Sequence, residues 1–156
     1  MSRRGALKDE RGFTLIEVLV TIIVMGIVFA VASSTWFGVV ESRRVDSATN
    51  QLAADMRMAH TRSTNRLEQW QVVLAADSST YTVGPMGSPA DQDLDDDAAG
   101  DEVVVDTAAT ITFNGDGSAS LPGGASSATF TVSTVDGAPA HDIEIDAALS
   151  RIQIDP

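Results

Sequence analysis

Twenty-eight consecutive residues, Phe13 to Val40 (FTLIEVLVTIIVMGIVFAVASSTWFGVV), are apolar or small and carry one charge among them, Glu17. As a helix this run would measure about 42 Å at roughly 1.5 Å per residue, more than the roughly 30 Å hydrocarbon core of a bilayer. It can therefore span a membrane with length to spare. Glu17 is the anomaly. A lone carboxylate near hydrocarbon costs on the order of 2–3 kcal/mol, so it calls for a partner.

Four basic residues, Arg3, Arg4, Lys8 and Arg11, precede the run against Asp9 and Glu10. Basic residues before an apolar run hold that end in the cytoplasm and send the remainder outward. A cleaved secretory signal is the competing reading. The run is too long for one, and no small-x-small site closes it convincingly. The short basic leader ending in Gly12, followed by Phe13-Thr14-Leu15-Ile16-Glu17 and the apolar run, resembles the class III signal of type IV pilins and type II secretion pseudopilins. The resemblance implies that a prepilin peptidase cuts after Gly12 and methylates the new N-terminus, Phe13. It also implies that Glu17 pairs with the terminal amine of a neighbouring subunit, which is the partner the electrostatics require.

The chain has 156 residues and no cysteine. Without a leader (1–12) and the membrane helix (13–40), about 110 residues remain, enough for one small domain held by packing alone. Charge is segregated. Beyond Arg66 the one Lys or Arg is Arg151, against sixteen acidic residues from Glu68 to Asp155. Such a domain repels phosphate backbones and anionic headgroups, so nucleic acid is not expected as a partner.

From Glu41 to Arg66 the pattern turns amphipathic, with Val45, Ala48, Leu52, Met56, Ala59 and Ser63 recurring at three- and four-residue steps. No Gly or Pro separates this segment (41–66) from the run before it, which predicts one helix from about Thr14 to Asn65. Gly26 lies within it, a loosening of up to about 1 kcal/mol relative to Ala. After Glu68 the period becomes two. Strands are expected at Gln71–Ala75, Thr80–Val83, Glu102–Asp106, Thr110–Asn114, Ala128–Val135, Asp142–Asp146 and Arg151–Ile154. Asn114-Gly115-Asp116-Gly117, Pro122-Gly123-Gly124 and Asp136-Gly137 read as turns. The fold class is α+β: a long N-terminal helix, membrane-spanning first and amphipathic after, packed on an antiparallel β-sheet domain (67–156).

Along the whole chain this arrangement is similar to the GspH/FimT family of minor pseudopilins and minor pilins. The supporting stretches are Leu52–Arg66 leading to Val72-Val73-Leu74, Ile111–Gly117, and Leu149-Ser150-Arg151-Ile152. The resemblance implies a structural assembly subunit of a type II secretion pseudopilus or a type IV pilus. Its partners would be other pilin or pseudopilin subunits, the prepilin peptidase and an inner-membrane assembly platform. Its location would be the inner membrane, single-pass, with a cytoplasmic N-terminus and an extracytoplasmic domain. The alternative is a surface-exposed minor pilin acting as a binding module for adhesion, cargo or DNA uptake.

Enzymatic constellations are missing from the sequence. Its two histidines, His60 and His141, stand without a nucleophile elbow or phosphate loop, so an enzyme is not expected. One local signal stands out in the acidic loop 91–102. Asp91, Asp93, Asp95 and Glu102 occupy positions one, three, five and twelve of a calcium loop. The turn glycine of such a loop is replaced by Asp96, and no helices are expected to flank it, so it is not an EF-hand. Crowded acids repel one another, and a calcium ion would relieve that; a solvated acidic loop is the plainer reading.

Overall fold

The structure is a computed structural model that describes residues 13–94, 103–137, 139–148 and 151–155, with side chains described outside 34–38. Helix α1 runs Leu15–Arg66. The chain forms two compact units, residues up to Gly38 and Val39–Pro156, and each is taken by itself.

The first unit is the apolar part of α1. Its start is fixed by Thr14, whose Oγ1 accepts the Glu17 N–H at 3.3 Å and whose carbonyl accepts the N–H groups of Glu17 and Val18 at 3.1 and 3.2 Å. The side chain thereby satisfies one of the orphan donors at a helix start, worth about 1 kcal/mol. Gly26 has open space around it and no close neighbour. It is not required by packing within this unit.

In the second unit, α1 lays an apolar stripe into the core. Val45, Ala48, Leu52, Met56, Ala59 and Ser63 are all buried, as their spacing predicts, and Thr49 and Ala53 widen the stripe. Burying each Val, Leu or Met of that stripe contributes about 1.5–3 kcal/mol. The helix ends where Leu67 enters the left-handed region (φ 54°) and the Glu68 N–H returns to the Ser63 carbonyl at 3.2 Å. This is a Schellman closure in which a leucine stands where glycine is usual, at a strain of about 1–2 kcal/mol.

Nine strands follow: β1 Trp70–Leu74, β2 Thr80–Pro85, β3 Ala90–Asp93, β4 Val103–Val105, β5 Ala109–Phe113, β6 Ala119–Ser120, β7 Ser127–Thr134, β8 Ala140–Asp146 and β9 Arg151–Asp155. They make two antiparallel sheets, β3-β2-β1-β5-β6 and β4-β7-β8-β9. Backbone bonds stitch the sheets together. The Val105 N–H donates to Ser78 O at 3.1 Å, the Asp77 N–H donates to Val105 O at 2.9 Å, and the Ala119 N–H donates to Ala147 O at 2.9 Å. Between them lies one core, in which Leu52 and Met56 of the helix join Val72, Ile111, Phe113, Val105, Val132, Ile143 and Ile145.

The seven strands expected from the sequence are present, each shifted at its ends by a residue or two. Two further strands, β3 and β6, were not expected. β3 also changes the reading of the acidic loop 91–102, because Asp91, Gln92 and Asp93 are paired strand residues opposite Thr82, Tyr81 and Thr80.

Candidate assembly site

The sequence points to the helix start. Gly12 and the leader lie outside the described residues. Phe13 and Glu17 are both exposed, and Glu17 occupies the first turn of α1. A carboxylate there complements the positive end of the helix dipole. Thr14 and Glu17 also stand in the Thr-x-x-Glu order of a capping box, a local sequence signal for this boundary that hydropathy alone overlooks.

Behind that start, Leu15–Ser33 forms a span of 19 residues with mean hydropathy 2.8, none of it buried within the chain. Leu15, Ile16, Ile22, Val24, Met25, Ile27, Val28 and Phe29 all face outward. An apolar surface of that extent is stable only against lipid or other helices. Its length and composition suffice to cross a bilayer.

The second unit presents a different chemistry. Of the proposed calcium ligands, Asp95 and Glu102 lie outside the described residues, whereas Asp91 and Asp93 sit on strand β3. Among the described residues no group of three or more His, Asp or Glu side chains is placed to hold a metal. His60 is a packing residue. Its Nε2 lies 3.3 Å from the Gly117 carbonyl, and its ring sits 5.9 Å from that of Phe113.

Other polar residues tie the helix to the sheets, through pairings that no local pattern in the chain signals. Tyr81 Oη donates to Asp55 Oδ2 at 2.6 Å. His141 Nε2 lies 2.8 Å from Asp46 Oδ1. Gln51 Nε2 donates to the Asp93 carbonyl at 2.8 Å, and Arg57 Nη2 donates to the Ile152 carbonyl at 3.1 Å. Burial, reinforced by Asp55, pushes the Tyr81 hydroxyl well above the ordinary tyrosine range. Ser118 holds the exposed Asp116 below the usual carboxylate range, donating to Oδ1 from its hydroxyl at 2.6 Å and from its N–H at 2.9 Å. These contacts fasten the domain.

Two family models match this chain. The prokaryotic N-terminal methylation motif matches residues 7–33, and the type II transport protein GspH matches residues 48–149, well over half of the chain. The chain belongs to the GspH family. The fold of the GspH-family domain is also that of a solved structure, the type IV minor pilin FimU of Pseudomonas aeruginosa strain PAO1. The two share 18% identity over 71% of this chain and 92% of that one, with a TM-score of 0.52. No curated protein matches the chain at significance. The matched families are structural subunits of the pilin type, and this GspH-family chain is a pilin-like assembly subunit with its N-terminal apolar helix as anchor.

Proposed function

We propose that this chain is a minor pseudopilin or minor pilin that is cut after Gly12, methylated on Phe13 and drawn from the inner membrane into a periplasmic or surface filament. The observation that carries the reading is the capped, wholly unburied span Leu15–Ser33 with Glu17 in its first turn, joined to a GspH-family domain. In the membrane, lipid covers the span. In a filament, the corresponding helices of other subunits cover it.

Glu17 then has a defined task. The free amine of a processed neighbour neutralises its charge, and an unpaired carboxylate at that depth disfavours every other axial register. The prepilin peptidase and an inner-membrane assembly platform are the partners this route requires. The N-terminus would be cytoplasmic and the domain extracytoplasmic, in keeping with the basic leader. The acidic domain disfavours a role in direct nucleic-acid binding.

Intact mass of the protein recovered from membranes of cells with a matching prepilin peptidase tests the proposal. The expected species lacks Met1–Gly12 and carries one added methyl group. An uncut chain, with the peptidase active on a control substrate, would return the protein to an ordinary anchored domain.

A further inference from the structure

Strand β8 runs with α1 along the unit Val39–Pro156, and two contacts fix the alignment. His141 Nε2 lies 2.8 Å from Asp46 Oδ1. Arg57 Nη2 donates at 3.1 Å to the carbonyl of Ile152, the β9 partner of Ile145. From Asp46 to Arg57 the helix advances about 16 Å at roughly 1.5 Å per residue. From His141 to Ile145 the strand advances about 13 Å at roughly 3.3 Å per residue. The two directions agree, so the connection that precedes β8 points back towards the start of the unit.

In that connection the Gly137 N–H closes a β-turn by donating to the Thr134 carbonyl at 2.8 Å. The central residues of the turn are Val135, 67% exposed, and Asp136, also exposed. Turn centres favour Asn, Asp, Gly, Ser and Pro, each for a backbone reason that valine does not share. Val135 also stands outside the core of the unit. Neither turn chemistry nor packing accounts for an apolar side chain there.

Val135 lies three residues beyond Val132, the partner of His141, or about 10 Å at roughly 3.3 Å per residue. Seven helix residues before Asp46, also about 10 Å at roughly 1.5 Å per residue, stands Val39. Val39 and Val40 are 49% and 40% exposed and end the apolar run that begins at Phe13. Arg43, exposed, follows within a turn. One end of the unit thus presents three exposed valines at about one level, with an arginine close to two of them. At about 42 Å the apolar run matches a hydrocarbon core plus its headgroup layers, roughly 40–45 Å, which sets Val39 and Val40 among headgroups. We propose that this end of the unit rests on the bilayer, with Val135 entering the headgroup layer and Arg43 meeting lipid phosphate. An apolar side chain at the acyl boundary beside a cation at the phosphates is how interfacial segments bind. Asp136 stays in water and limits the depth. The inference goes beyond the filament role and rests only on the apolar helix being a membrane anchor.

The chain has no cysteine, so an introduced thiol takes a fluorophore at one place only. The label goes on full-length chains carrying Ala140→Cys, exposed at the start of β8, or Thr61→Cys, exposed about 22 Å beyond Asp46 along α1. Both are reconstituted in vesicles of phosphatidylethanolamine and phosphatidylglycerol that contain lipid spin-labelled on the headgroup. Quenching is expected to be severalfold stronger at Ala140 than at Thr61. Val135→Asp brings the Ala140 signal down to the Thr61 level, Arg43→Glu lowers it, and Val135→Leu keeps it. Because Val135 lies outside the core, Val135→Asp leaves Tm unchanged, which separates lipid contact from folding.

Quenching at Ala140 no stronger than at Thr61, or indifferent to Val135→Asp, would overturn the proposal. So would energy transfer between labelled copies at Ala140 without lipid quenching, the mark of a second copy on this face. Vesicle flotation is scored in the same samples. A chain that floats without quenching at Ala140 overturns the turn's contact alone. A chain that does not float overturns the membrane anchor as well.

Discussion

Tyr81 donates its hydroxyl hydrogen to Asp55 across 2.6 Å, joining the middle of α1 to the second strand of the five-stranded sheet. Tyr81 is 2% exposed and is the one tyrosine in the chain. A carboxylate in that half-buried position depends on its donor.

Removing the donor therefore destabilises the domain. Tyr81→Phe should lower stability by about 1.5–3 kcal/mol, the usual worth of a hydrogen bond to a charged group. Thermal unfolding of the full chain in detergent measures it. A Tm equal to the parent's would show that water replaces the hydroxyl at no cost.

The same tyrosine sets an alkaline limit. Its folded value is raised above the ordinary 10.0, chiefly by burial and then by Asp55, so the folded state holds the proton more tightly than the unfolded chain. That contribution is complete below pH 10 and declines as pH rises above it. Phenolate absorbance should appear only together with unfolding, and the alkaline loss of stability should disappear in Tyr81→Phe. Phenolate forming in a folded domain near pH 10 would contradict this.

Asp116 supplies the acid counterpart. Ser118 depresses its folded value below 3.8, so the stability it lends is present above that pH and fades as pH falls through the lower folded value. Ser118→Ala keeps the backbone donor and removes the hydroxyl, so the Asp116 midpoint followed by NMR should rise towards 3.8. An unmoved midpoint would assign the depression to the backbone alone.

Gly115 is held against the helix exit. A Cβ there would stand 2.8 Å from both Cα and C of Leu67, backbone atoms with no freedom to rotate aside. Gly115→Ala should destabilise the domain by about 1–3 kcal/mol. Gly26→Ala meets open space and should leave domain stability unchanged. Equal melting curves for Gly115→Ala and the parent would mean that the turn shifts freely.

For the assembly role, Glu17→Val should leave leader removal intact and block incorporation, since the apolar helix persists while its charge partner is lost. Comparing processed protein in membranes and in sheared filaments measures both steps. Normal amounts of the variant in filaments would remove Glu17 from any part in register.

Much of this was legible because one kind of pattern governed it. The stripe from Val45 to Ser63 has a single period and is buried at every step, and β5, β8 and β9 alternate cleanly. β3 was hidden because Ala90-Asp91-Gln92-Asp93 buries almost nothing; backbone pairing to β2 and the Gln51 bond hold it in place. β6, two residues long, has no period at all. The division into two sheets depends on register between distant strands, to which local alternation is blind. So do Asp46–His141 and Asp55–Tyr81, whose members look like surface residues until the chain is folded.

The bonds from Gln51 to the Asp93 carbonyl and from Arg57 to the Ile152 carbonyl bear on how the domain avoids self-templating. β3 and β9 are each one of the two outermost strands of their sheets, and an outermost strand recruits strands from other chains unless something blunts it. Here the helix supplies part of that protection, one side chain to each strand. A truncation that removes residues through Arg57 would therefore leave both strands adhesive as well as opening the core, and aggregates rich in intermolecular sheet are the expected product.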